Sequence, residues 1–185
     1  MRFSDTALLW THERALSREA CDELVASIER ANPGLATNNP MYRDQDRVIR
    51  DDPALATTLL EGLRPSLPPR IGALALERRL NERFRLYRYR AGQRFAPHMD
   101  HWYQPSARSI TLLTVLVYLN EGFEGGETSF CEQIERVVTP QTGLAAVLQH
   151  KIRHAGEPVV RGTKYALRTD VLYMSDEDIE LTYEE

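Results

Sequence analysis

Ser109-Ile110-Thr111-Leu112-Leu113-Thr114-Val115-Leu116-Val117-Tyr118-Leu119 is an unbroken run of β-branched and leucine residues with neither glycine nor proline, and such a run reads as a strand. Working outward, residues 83–90 alternate, and further short strands are expected at 127–131, 144–150 and 164–174. Turns, not helices, separate them, so antiparallel pairing into a sandwich or jelly roll is favoured over a parallel sheet. Upstream the character differs. Residues 17–31 place Cys21, Leu24, Val25 and Ile28 at helical spacing, with Ser17 as cap and Asn32-Pro33-Gly34 as stop. Residues 32–52, which include Asn38-Asn39-Pro40, read as a long loop with one short strand. Asp52-Pro53 then supplies an N-cap and a proline at the first helical position, opening a helix to about Leu63 before Pro65-Ser66-Leu67-Pro68-Pro69 interrupts it. Residues 71–80 are ambiguous. Helices first and strands later is the α+β pattern.

The chain has 185 residues, 42% of them hydrophobic and 27% charged, enough apolar material for one folded domain spanning 1–185. Its parts are an N-terminal helical portion of about 1–82, a β core of about 83–174 and an acidic tail, 175–185, read as a solvated, partly disordered end. A net charge of −4 excludes a global positive field, so neither nucleic acid nor an anionic membrane is an expected partner. Cys21 and Cys131 form neither a disulfide framework nor a CxxC metal knuckle, and free thiols in a reducing cell are expected. No apolar run approaches the roughly 20 residues of a membrane span, and the N-terminus lacks a signal-like stretch, which together give a cytoplasmic expectation.

The chemistry centres on Phe95-Ala96-Pro97-His98-Met99-Asp100. In an extended segment residues two apart share a side, so His98 and Asp100 can present an imidazole and a carboxylate to one ion. His154, just beyond the expected strand at 144–150, is the candidate third ligand. Two histidines and a carboxylate are the ligand set of non-haem Fe(II) oxygenases, with zinc as the competing metal. Five histidines among ten aspartates in 185 residues give roughly 0.3 chance HxD pairs, so the motif alone carries little weight. Lys164 adds to it: a buried ammonium is costly unless it meets an anion, and a dicarboxylic cosubstrate would supply one. Lys164 and Arg168 could equally form a solvated basic edge.

These residues resemble the 2-oxoglutarate and Fe(II)-dependent dioxygenases of the prolyl-hydroxylase type. The resemblance covers roughly 84–173 and rests on ordered blocks: Tyr87-Arg88-Tyr89-Arg90 leading through Phe95 to His98-x-Asp100; Val115-Leu116-Val117-Tyr118-Leu119-Asn120; Gly125-Gly126-Glu127-Thr128; Pro140-x-x-Gly143; His154-Ala155-Gly156; and Gly162-x-Lys164-Tyr165. It implies a double-stranded β-helix, or jelly roll, with supporting N-terminal helices. It also implies His98, Asp100 and His154 as iron ligands, and Lys164 as partner of the distal carboxylate of 2-oxoglutarate. Tyr89 would hydrogen-bond that cosubstrate, and Tyr118 and Thr128 would line the same pocket. His150 competes with His154 as ligand and Arg168 competes with Lys164 as cation; the spacing of Pro158-Val159 and Lys164 from His154 matches the family pattern.

The function so implied is hydroxylation of an unactivated C–H bond, of a prolyl residue or a related amino acid, using Fe(II), 2-oxoglutarate and O2, with ascorbate as a further reductant. The substrate would be a protein, a peptide or a small molecule, chosen by the segments 32–52 and 101–108; the oligomeric state stays open. Two alternatives stand beside it. One is a non-catalytic jelly-roll module that binds a metal or small acid, and the other is a zinc hydrolase using the same His-Asp-His set.

Overall fold

The computed structural model describes residues 8–36, 39, 41–132 and 134–180. Strand β1 (Leu9–His12) precedes helix α1 (Arg18–Ala31), and β2 (Asp46–Asp51) precedes helix α2 (Pro53–Leu63). Both helices start as their side chains dictate: Ser17 accepts from the Ala20 amide at 3.2 Å and Asp52 from the Leu55 amide at 3.0 Å. Asn32 ends α1 in the left-handed region at φ 43°. The ambiguous stretch forms β3 (Arg70–Ile71) and β4 (Leu74–Leu80). Then follow β5 (Arg83–Arg90), β6 (Phe95–His98), β7 (Ser109–Tyr118), β8 (Glu124–Gly125), β9 (Thr128–Phe130) and β10 (Arg136–Val138). The last four are β11 (Ala145–Gln149), β12 (His154–Gly156), β13 (Val159–Arg161) and β14 (Thr163–Met174).

The strands form an eight-stranded sheet facing a four-stranded one, the two curled layers of a jelly roll. In the larger sheet β1, β11, β7 and β14 lie side by side; β14 also pairs with β5, which pairs with β2, and its far end pairs with β4. The smaller sheet runs β10-β9-β12-β6, and all these pairings are antiparallel. Alternation along β14 explains the layering. Leu167 and Val171 join Phe84 and Leu86 of β5, Leu24 and Ile28 of α1, and Leu59 and Leu63 of α2 in one buried cluster. Each such fully buried side chain contributes about 1.5–3 kcal/mol. Lys164, Ala166, Arg168 and Asp170 fall on the opposite, inward face, where Ala166 packs with Tyr87 and Tyr89. Arg88 of β5, on the outer face, ties α1 to β2 through Glu29 at 3.0 Å and Asp46 at 2.8 Å.

Two expectations are corrected. The portion 1–82 holds α1 and α2 but also four strands, each paired within the large sheet. The tail is not a loose end through residue 179. The amides of Ser175 and Ile179 donate to the carbonyls of Arg108 and Ala107 at 2.9 and 2.7 Å, and Ile179 is buried in the main core. One apolar side chain with a seat suffices to anchor an otherwise polar segment. Residues 181–185 of that tail, and Asn38 and Pro40 of the loop before β2, lie outside the described residues.

Candidate metal centre and cosubstrate cavity

β12 pairs with β6 in a register that sets His154 opposite His98, so the imidazoles meet with ring centroids 4.4 Å apart. Asp100 lies two positions beyond His98 on the same side, its amide anchored to the His150 carbonyl at 3.0 Å. His98 Nδ1 lies 2.8 Å from the Ala96 carbonyl and His154 Nδ1 lies 3.0 Å from the Ile152 carbonyl. A carbonyl can only accept, so each Nδ1 carries the proton and each Nε2 presents a lone pair; the tautomers follow from these partners. Those Nε2 atoms stand 3.9 and 3.8 Å from the two carboxylate oxygens of Asp100, too far for hydrogen bonds. The three donor atoms lie within 4.8 Å of one another.

The electrostatics suit a cation. Burial, and then the neighbouring His154, push His98 down to about 4, so its ring is neutral at pH 7 as a metal ligand must be. Burial alone would raise Asp100, but Arg168, His154 and the Thr114 hydroxyl outweigh it and hold the carboxyl well below the usual range. Thr114 donates to Asp100 Oδ2 at 2.6 Å, and the Arg168 guanidinium lies 3.0 Å from Asp100 Oδ1. Backing carbonyls on both histidines and paired donors behind the carboxylate are the outer contacts that orient metal ligands. The donor set therefore fits a divalent ion with open positions.

A narrow cavity runs from the two histidines to Lys164, with Tyr87, Tyr89 and Thr128 among its walls. Lys164 is 2% exposed. Its ammonium donates to the Gly126 carbonyl at 2.6 Å and lies 5.1 and 5.5 Å from the ring centroids of Tyr89 and Tyr118. Burial, partly offset by Glu127 and Glu157, lowers it to about 8. Gly126 has a second use. At φ +70°, a β-carbon there would sit 3.2 Å from Lys164 Cδ, so glycine gives the lysine stem its passage. Tyr118 donates to Thr128 Oγ1 at 2.7 Å in a buried pair beside the lysine.

Every anticipated site residue thus lies in or beside one cavity. His150 does not join the cluster: its Nε2 stands 3.5 Å from Asp170 Oδ1, and neither ring nitrogen has a hydrogen bond among the described residues. Arg168 is engaged elsewhere, bridging Asp100 and Asp170 at 3.0 Å each. Sequence reasoning missed Thr114 and the bridging role of Arg168. The register of β14 against β7, which sets Asp170 opposite Thr114 and Arg168 opposite Leu116, is what brings them behind Asp100.

Residues 84–169 match the family model of the 2OG-Fe(II) oxygenase superfamily. That stretch is similar to the 2OG-Fe(II) oxygenases. No curated protein matches the chain in sequence. Among solved structures, the oxygenase fold is shared with a viral collagen prolyl hydroxylase from Paramecium bursaria Chlorella virus-1 in its 2OG complex, at TM-score 0.66 and 19% identity over 91% of this chain and 96% of that one. A Pseudomonas putida prolyl-4-hydroxylase gives 0.63 and 18% over 90% and 92%. A prolyl hydroxylase from Trichoplax adhaerens, in complex with a hypoxia inducible factor peptide fragment, gives 0.63 and 16% over 91% and 83%. Likeness at these identities speaks for a common fold.

Proposed function

We propose that the chain is a 2-oxoglutarate- and Fe(II)-dependent dioxygenase that hydroxylates a C–H bond of a prolyl or related residue in a peptide. The observation that carries this reading is the alignment, in one cavity, of three convergent metal donors with a buried ammonium that donates to the Gly126 carbonyl. His98, Asp100 and His154 would hold the ion. Fe(II) bound there, with 2-oxoglutarate and O2, supplies oxidative decarboxylation of the keto acid to succinate and CO2 coupled to hydroxylation of the substrate.

The chain's own residues do the placing. Lys164 neutralises the distal carboxylate of 2-oxoglutarate, a pairing worth more in a desolvated pocket than in water. Tyr87, Tyr89, Leu116 and Ala166 keep that pocket dry. Engagement of Arg168 by Asp100 and Asp170 favours Lys164 as the cosubstrate's cation. The prolyl assignment is supported by the prolyl hydroxylases among the structural neighbours, one with a bound peptide fragment.

Anaerobic titration of the protein with Fe(II) and 2-oxoglutarate tests the reading. A weak visible charge-transfer band from the chelated keto acid is expected, and His98→Ala should abolish it. Folded, iron-loaded protein without the band would overturn the assignment.

A further inference from the structure

Beside the cosubstrate cavity lies a larger, open trough of about 620 Å³. Its position follows from the sheet register. On the inward face, successive rows across β5 and β14 are Tyr89 with Lys164, Tyr87 with Ala166, and Arg85 with Arg168. On β2 the neighbours of Tyr87, Arg85 and Arg83 are Arg47, Ile49 and Asp51. The face that begins at the cosubstrate lysine therefore continues past the metal donors into the trough. It is also lined by His101, Trp102, Tyr103 and Pro105, which follow Asp100 in the chain beyond the end of β6.

The trough floor is basic. Burial, and then the charges of Arg43, Arg85 and Arg83, hold the Arg47 guanidinium below its ordinary range, the mark of like charges gathered without enough counter-charge. Arg47 donates to the Ala36 carbonyl, and neither it nor Arg83 has an ion pair among the described residues. Of the acids present, Asp170 is held by Arg168 at 3.0 Å and Arg85 at 3.5 Å. Asp51, opposite Arg83 across the β2–β5 pair, and Glu82 lie with Arg83 at the end farthest from the metal donors, which leaves Arg47 and Arg85 nearer to them. The rims are apolar and exposed, with Ile49 at 41%, Trp102 at 36% and Tyr103 at 55%.

We propose that this trough seats the substrate as an extended polypeptide segment carrying carboxylate side chains against Arg47, Arg83 and Arg85. The inference rests on the oxygenase reading, because it takes the trough as the approach to His98, Asp100 and His154. An open channel running from Arg47 to Asp51 of β2, four residue steps or about 13 Å, suits an extended chain and leaves a free small acid largely in water. Guanidiniums recognise carboxylates by paired N–H donors, and the aromatic rim offers flat surfaces to residues between the acids. The chain's net charge of −4 gives no help at long range, so the local arginines must do the selecting.

The test uses the full chain loaded anaerobically with Fe(II) and 2-oxoglutarate. Fluorescein-labelled decapeptides with a central proline flanked by glutamate, glutamine or lysine are followed by anisotropy. The glutamate peptide should bind about tenfold more tightly than the glutamine peptide and the lysine peptide most weakly, with the spread shrinking between about 50 and 500 mM salt. Arg83→Glu should invert the order, and Arg47→Gln should compress it. Equal binding of the three peptides, an unchanged order in folded Arg83→Glu, or an unchanged spread in folded Arg47→Gln, overturns the proposal. Free glutamate competing as well as the unlabelled glutamate peptide also overturns it, assigning the trough to a small acid. Loss of the charge-transfer band in wild-type protein sinks the oxygenase reading itself, whereas a normal band without charge preference sinks only the trough.

Discussion

A lysine 2% exposed whose ammonium meets one backbone carbonyl leaves an unmet demand for negative charge. Lys164→Ala should weaken 2-oxoglutarate binding by about 2 to 5 kcal/mol, as for other truncated buried charge pairs, read from the charge-transfer titration; unchanged affinity would remove Lys164 from the site. Because Lys164 is lowered from 10.5 to about 8, its charge is present below that pH and lost above it. Affinity for 2-oxoglutarate should therefore fall as pH rises through 8, with proton uptake on binding measurable by calorimetry in buffers of different ionisation enthalpy. The ligand-free fold has the opposite slope: between 8 and 10.5 the unfolded chain holds the extra proton, so stability rises with pH. Arg168 acts through Asp100. Arg168→Met should cost about 10–100-fold in Co(II) or Fe(II) affinity, as losses behind metal ligands do, and Arg168→Lys should recover part of it; full affinity in both variants would contradict the role. His98 and Asp100 were legible because period-two alternation is a local rule, and His154 because its spacing to Pro158-Val159 and Lys164 matches the pattern of the family the sequence resembles. The grip of Arg168 on Asp100 was not, since it depends on which residues of β7 and β14 face each other across the sheet.

At the scale of elements, what could be read is what carries its own start and stop signals. Ser17, Asp52-Pro53 and Asn32 mark α1 and α2, and the long runs of β5, β7 and β14 identify themselves by length. The strands that escaped notice, β1, β8, β10, β12 and β13, are two to four residues long and exist only because a partner strand offers hydrogen bonds. Tertiary pairing creates them. Single glycines matter at the joints between such elements. Gly143 precedes β11 at φ +81°, and a β-carbon there would sit 2.4 Å from the Leu16 carbonyl oxygen. Its amide also donates to the Tyr118 carbonyl, and its own carbonyl accepts from Ala15. Gly143→Ala should cost at least about 1–3 kcal/mol from the backbone conformation alone, before the clash is counted. Thermal unfolding checks this, and a midpoint within a degree of wild type would refute it.

Over the whole molecule, β1 closes the large sheet by pairing Leu9–His12 with β11. A variant beginning at Glu13 should lay the edge of β11 bare and self-associate. Size-exclusion chromatography would show growth with concentration, and a monodisperse variant of unchanged stability would dismiss the idea. The two-layer architecture was legible from the order of helices and strands. The seat of Ile179, which turns an acidic tail into a brace for the loop at 104–108, was not, because a single apolar residue has no period to read. The backbone carbonyls behind His98 and His154 have a practical consequence. They hold both rings by contacts that need no ion, so a preformed site of this kind would be expected to accept several divalent ions. Nitrogen and oxygen donors of this kind follow the Irving–Williams order, in which copper and nickel bind more tightly than iron. Iron occupancy would then be governed by what the cell supplies, and protein purified from a nickel- or zinc-rich source would be inactive until stripped by a chelator and reloaded with Fe(II) under argon.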